Sequence, residues 1–262
     1  ILILIITASI FAHVIAPHNP YDLASVSLMD LMKPPIWMEG GVDKFILGSD
    51  LQGRGILSTI LYGTRISLLV GFAAVALGGT IGITLGMIAV YFGGKVDSII
   101  MRMADIQLSF PTMLIAITVM AFLGRGILKL IVVIGLATWV TYARTARGST
   151  LSIKSSEFVE AAKLIGVTNT KILLRHILPN ILTPIIVIAT VQIAQVIMLE
   201  ATLSFLGLGV ELTRPSLGLI IADGYKRLFS GDWWLVVFPG TVLVLIVLSI
   251  NIFGDWLRGQ FR

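Results

Sequence analysis

The chain has 262 residues, 56% hydrophobic and only 13% charged, against about 25% charged in an ordinary soluble domain. A mean hydropathy of +0.98 with a net charge of +5 excludes a disordered chain and leaves more apolar surface than one globular core can bury. With no cysteine there is no disulfide framework, thiolate metal site or cysteine nucleophile.

The basic excess reads as residues that flank membrane spans and meet anionic headgroups. A nucleic-acid surface is not indicated, because no basic run is interleaved with aromatics. A bilayer core about 30 Å thick takes roughly 20 apolar residues of helix. Residues 1–16 read as a first transmembrane helix whose cytoplasmic lead-in precedes residue 1. No small-residue cleavage site follows it, which argues against a cleaved signal peptide. Residues 17–64 read as a long periplasmic loop. Pro17, Pro20, Pro34 and Pro35 make its first half irregular. Ile56, Leu57, Ile60 and Leu61 then recur at helical spacing, as in an amphipathic helix lying at the interface.

A five-helix core is expected over 65–258. Its charge-free stretches are 66–92, 106–124, 177–199 and 233–254. A shorter run at 130–143 is bounded by Lys129 and Arg144, which can snorkel from its ends. The fold class is therefore an all-α polytopic membrane protein with six transmembrane helices, with five and a re-entrant segment as the alternative. Gly78, Gly82 and Gly86 recur every four residues, so they share one helix face and let another backbone approach closely. Pro111, Pro184 and Pro239 each remove a backbone donor inside or near a span, and a kink or a partner is expected at each.

Three charged residues near span ends form a candidate gate or ion-pair set. Asp105 follows Arg102 by three residues, which suggests a local pair. Glu200 lies about 33 Å along the span that opens near 178, at 1.5 Å per residue, and is expected to pair near a periplasmic gate. His13, His18 and His176 are dispersed, so no metal site is assigned.

The most informative stretch is the loop over 146–180. Ser155 or Ser156 can cap a helix there, with Glu157 in its first turn. Phe158, Ala161, Ala162 and Ile165 fall at i, i+3, i+4 and i+7, giving a small, partly apolar inner face. Gly166 can end that helix as a left-handed cap. A second short helix is expected over 170–177, with Pro179 opening the next span. Basic residues divide evenly between the two sets of loops, but six fall within 144–175, so this loop and both termini are assigned to the cytoplasm. On physics alone, a plain connector and an elbow for a partner's groove fit equally well.

Glu160-Ala161-Ala162, then Gly166, then Leu178-Pro179 has the spacing of the EAA loop of bacterial ABC importer permeases. Further matching stretches are Gly48-Ser49-Asp50-Leu51-Gln52-Gly53-Arg54, Tyr62-Gly63-Thr64-Arg65-Ile66-Ser67-Leu68, Asp105 with Leu108-Ser109-Phe110-Pro111, Arg175-His176-Ile177-Leu178-Pro179-Asn180, Glu200-Ala201 with Leu203-Ser204-Phe205-Leu206-Gly207-Leu208-Gly209, and Asn251 with Gly254-Asp255. Over 45–258 the chain resembles the dipeptide/oligopeptide/nickel permease family, in particular its C-type subunit. It departs from the usual pattern at Ser49, where the family has Thr, and at Gly55, where it has Asp.

The resemblance implies a type I ABC importer permease (MetI-like) fold in the bacterial inner membrane. It implies an ATP-driven importer, with di- or oligopeptides as the expected substrate. The partners would be a second homologous permease subunit, two ABC ATPase subunits and an extracytoplasmic solute-binding protein. Glu157, Phe158, Glu160, Ala161, Ala162, Leu164 and Gly166 would form the surface that couples to the ATPase. No cofactor is expected. Gly93-Gly94-Lys95 lacks the upstream glycine and following hydroxyl of a phosphate loop, so ATP chemistry falls to another chain. The rival reading, an ion-coupled secondary transporter or channel, would want paired midplane charges and inverted repeats, and neither is evident. An intramembrane enzyme would need a nucleophile–base pair or metal ligands within the spans, and none stands out.

Overall fold

The computed structural model describes residues 1–22, 27–211 and 213–260. Among these, every regular element is helical apart from one isolated antiparallel bridge between Ser49 and Gly55. Helix α1 (Leu2–Ile10) lays Leu2, Ile5 and Ile6 against a cluster that holds Leu243, Ile246 and Ile250. A further helical turn, Ala12–Ile15, follows it directly after Phe11.

Helix α2 (Ile56–Phe92) runs for 37 residues, about 55 Å. The expected interfacial helix is not separate from it. Ile56 and Ile60 are buried with Leu217, Trp234 and Leu235, so the first turns of α2 face protein rather than headgroups. Helix α2 ends where Gly93 takes φ +65°.

Helices α3 (Gly94–Leu108) and α4 (Thr112–Leu123) return the chain and are bent by 83°. The stretch 106–124, expected as one span, is therefore broken. Pro111 has no N–H to continue the ladder, and the bend is held from outside. The Gln107 side-chain amide donates to the Ala137 carbonyl at 2.8 Å and accepts from the Trp139 indole at 2.7 Å.

Helix α5 (Ile127–Lys154) lies beside α2 and parallel to it. The row of glycines explains how close they come. A Cβ on Gly78 would sit 2.7 Å from the Gly135 carbonyl oxygen, one on Gly82 2.3 Å from that of Trp139, and one on Gly86 2.4 Å from that of Ala143. The seam is backbone against backbone, which only glycine permits. Helix α6 (Glu157–Leu164) follows after a turn.

Helix α7 (Asn169–Phe205) is also 37 residues long. The second short helix expected over 170–177 is its first part, wound as a π turn over Ile172–Ile177. The wider turn precedes Pro179, whose ring would crowd the Arg175 carbonyl in a regular helix. Pro184 and Pro239 lie inside α7 and α9 without ending them. Helix α8 (Leu217–Tyr225) is short and seats Gly218 against Ala201 of α7, and α9 (Trp234–Gln260) closes the bundle.

Helices α2, α5, α7 and α9 are long and apolar enough to cross a membrane, and the α3–α4 pair makes up to five. Apolar side chains also line the outer surface, with Val244, Leu248 and Ile252 exposed on one face of α9. Such a stripe suits lipid or another apolar helix, not water.

Candidate functional site

Three polar or irregular constellations stand out from the apolar bundle. The first is the elbow between α5 and α7. Lys154, at the end of α5, donates to the carbonyls of Val90 (2.6 Å) and Tyr91 (3.0 Å) at the end of α2. Arg147 grips Asp97 through two bonds, Nε to Oδ1 at 2.7 Å and Nη2 to Oδ2 at 2.6 Å. The elbow is thus fixed to the ends of three helices.

Within the elbow, Ser156 occupies the N-cap position of α6, but its hydroxyl donates back to the Ile153 carbonyl at 2.7 Å instead of capping. Glu157 and Glu160 both lie in the first turn and are exposed. Acidic groups there are favoured by the helix dipole. No Glu160–Lys163 ion pair forms. Gly166 takes φ +78°, its N–H bonds the Lys163 carbonyl, and Val167 N–H bonds the Ala162 carbonyl, both at 3.0 Å. That pair of bonds is a Schellman end, which requires a left-handed residue at the glycine.

The inner face of α6 differs from the expected one. Val159 and Ala162 are buried against Ile172 and Ile177, while Phe158, Ala161 and Ile165 point away. Leu164 is 88% and Ile165 81% exposed. Helix α6 is apolar on both sides, so spacing alone does not choose which side is covered.

The second constellation surrounds Glu200, fully buried in α7. No cation reaches it, contrary to the expected gate pair. Ser67 of α2 donates to Oε2 and Ser204 to Oε1, each at 2.7 Å, and Ser216 at the start of α8 also bonds the carboxyl. One side chain thereby joins three helices through hydroxyl donors. The local Arg102–Asp105 pair is likewise replaced: Asp105 accepts from Arg144 of α5 at 2.6 Å.

The third lies at the opposite end of α2 from the elbow. His18 Nε2 accepts the Gly55 N–H at 3.0 Å, and its Nδ1 lies 3.2 Å from the Ser58 hydroxyl. Gly55 must be small here, since a Cβ would sit 2.6 Å from the His18 ring. Burial, with help from the nearby Lys44 charge, holds the imidazole below its ordinary pKa of 6.5. The neutral ring is the form that can accept from Gly55. A lowered pKa means the unfolded chain takes up protons first on acidification. Stability from this contact is therefore full above about pH 6.5 and lost as pH falls through the folded value. Purified protein in detergent should melt at progressively lower temperature below pH 6.5, and His18→Gln should flatten that dependence. An unchanged slope in the variant would remove His18 from the account.

Among the described residues no group of three or more histidine and acidic side chains could hold a metal.

Comparison with known proteins agrees with this architecture. Residues 78–262 match the profile of the binding-protein-dependent transport system inner membrane component family. The chain is 35% identical over 258 residues to the di/tripeptide transport system permease protein DppC of Pseudomonas aeruginosa, covering 98% of this chain and 84% of that one. It is 38% identical to the dipeptide permease DppC of Haemophilus influenzae over 98% of this chain and 86% of that one. It is 40% identical to the oligopeptide permease OppC of Escherichia coli K12 over 80% and 70%. Inward-facing structures of the MetNI methionine ABC transporter share the fold, with a TM-score of 0.63 at 20% identity, covering 78% of this chain and 97% of that one. A multi-helical bundle with apolar outer faces and a profile match across most of its length lead to one assignment: the chain is a multi-pass membrane protein that belongs to the binding-protein-dependent transport system inner membrane component family.

Proposed function

We propose that the chain is a permease subunit of an ATP-driven, binding-protein-dependent importer of di- or oligopeptides, and that α6 is the element its ATPase grips. The carrying observation is the outward face of α6. Leu164 and Ile165 stand almost fully in the open beside Phe158, next to two unpaired acids, on an elbow bonded to the ends of α2 and α5. Large apolar side chains so exposed at a polar end of a membrane bundle call for a partner's groove. Relatives named as dipeptide and oligopeptide permeases support the substrate class.

On this reading a second homologous permease completes the pathway, two ATPases sit on the cytoplasmic side, and a binding protein delivers substrate from the other. The role of α6 is mechanical. Its apolar tip fills the groove, while Glu157 and Glu160 reach basic groups at the rim through charge-assisted bonds. ATP is hydrolysed on the partner chains.

The test is assembly. In the complex purified from membranes, Leu164→Glu with Ile165→Glu should strip the ATPase chains from the permease, while the level of inserted permease stays normal. Retention of the ATPases at wild-type stoichiometry would overturn the assignment of α6.

A further inference from the structure

Helices α4, α5 and α7 enclose a recess of about 250 Å³ lined by Thr112, Thr138, Thr141, Gln192 and Gln195, with Val196 and Leu199 as its apolar wall. Gln192, Gln195, Val196 and Leu199 follow i, i+3, i+4 and i+7, so they share one face of α7. Thr138 and Thr141 lie near the middle of α5, and the glutamines near the middle of the apolar part of α7. The recess is therefore at the depth of the bilayer centre.

Gln192 is the informative residue. It is only 9% exposed, lines the recess, and its carboxamide has no hydrogen-bond partner. Its polar atoms open onto the recess and are not among the buried side-chain atoms left without a partner, so their hydrogen-bonding capacity is free for a guest. The neighbouring Thr138 hydroxyl donates to the Gly135 carbonyl at 3.1 Å and makes no bond to Gln192. The lining carries donors and acceptors but no charge. A carboxamide offers the groups that pair with a peptide unit, a carbonyl acceptor and N–H donors.

We infer that this recess is a midplane subsite for the main chain of the transported peptide, in which Gln192 exchanges hydrogen bonds with a backbone amide. The inference rests on the peptide-import reading above and deepens it. Main-chain recognition by neutral groups holds the peptide without regard to its side chains or charge. The concave shape favours a small guest over a flat helix contact.

The experiment uses the complete transporter in proteoliposomes with its binding protein. Uptake of labelled trialanine is compared with that of trialanine N-methylated at its central amide. Wild type should prefer the unmethylated peptide. Gln192→Leu should raise KM for trialanine roughly two- to tenfold, the worth of one buried hydrogen bond, and should narrow the preference. Thr141→Val, at an exposed position that places no demand on folding, should act in the same direction more weakly. If both variants assemble and keep the wild-type preference and KM, the subsite is overturned. If Gln192→Leu releases the second permease subunit instead, the glutamine is inter-subunit glue and the subsite is equally overturned. Failure of the wild-type complex to take up any labelled di-, tri- or pentapeptide would overturn the peptide reading itself.

Discussion

Replacing Gly166 with leucine is expected to lower peptide uptake roughly five- to thirtyfold while leaving the protein inserted and its bundle intact. The position asks for a backbone conformation, not for space. Gly166 holds φ +78°, and a Cβ there would meet nothing within 4 Å. The cost to an L-residue is thus the left-handed backbone itself, roughly 1–2 kcal/mol. That is a factor of about 5–30 in the population of the correctly ended helix. The Schellman bonds from Gly166 and Val167 would open, and the outward side chains of α6 would lose their fixed aim. Asparagine visits the left-handed region far more readily, so Gly166→Asn should retain most of the uptake. Measuring uptake and stimulated ATP hydrolysis in reconstituted complexes separates the outcomes. Equal transport by the leucine variant would remove the elbow from the coupling path. Equal damage from asparagine would mean that a partner presses on the glycine directly.

A larger structural effect is expected from Gly82→Val. The first added carbon would lie 2.3 Å from the Trp139 carbonyl oxygen, 2.6 Å from the Tyr142 Cβ and 2.9 Å from the Ala143 nitrogen. Two of these three are backbone atoms, which cannot rotate aside. Relief requires α2 and α5 to part, and Gly78 and Gly86 would lose their seats along with Gly82. Overpacking typically costs about 1–3 kcal/mol, and a clash with fixed backbone belongs at or above the top of that range. Folded yield by size-exclusion chromatography and thermal denaturation in detergent should both fall sharply. Gly79→Ala is the control. Its Cβ would sit 3.7 Å from the Tyr142 ring, an ordinary contact, so its melting temperature should stay near wild type. Similar losses from the two variants would show that the seam is not what limits packing.

The glycine row was legible because one face of a helix follows from spacing alone. The elbow was legible for a related reason: a terminating glycine and Leu178-Pro179 are local signals, although the serine expected to cap α6 bonds backward instead. What spacing cannot supply is the identity of a neighbour far along the chain. Asp105 takes Arg144, 39 positions away, over Arg102, because α3 packs beside α5, where Gln107 also bonds the Ala137 carbonyl. Glu200 is met by Ser67 from 133 positions away, and no spacing rule links the two. Pro111 announced a break but not an 83° turn, which depends on Gln107 reaching α5. The side of α6 that faces inward was misjudged because the helix carries apolar residues on both sides, and only the distant Ile172 and Ile177 decide which side is covered. Gln192 and Gln195 carried the one overlooked signal, two carboxamides three residues apart in an otherwise apolar run.

The glycine seam between α2 and α5 also has a mechanical meaning. With no intervening layer of side chains there is nothing to shear, so the two helices translate and tilt as a single stiff plate. Compliance must then reside elsewhere, and the underwound π stretch at Ile172–Ile177, with wider turns and a proline just beyond, is the natural flexure. A push on the elbow would rock the plate and bend α7 at that flexure, which converts a small rotation at one surface into a wider swing at the other.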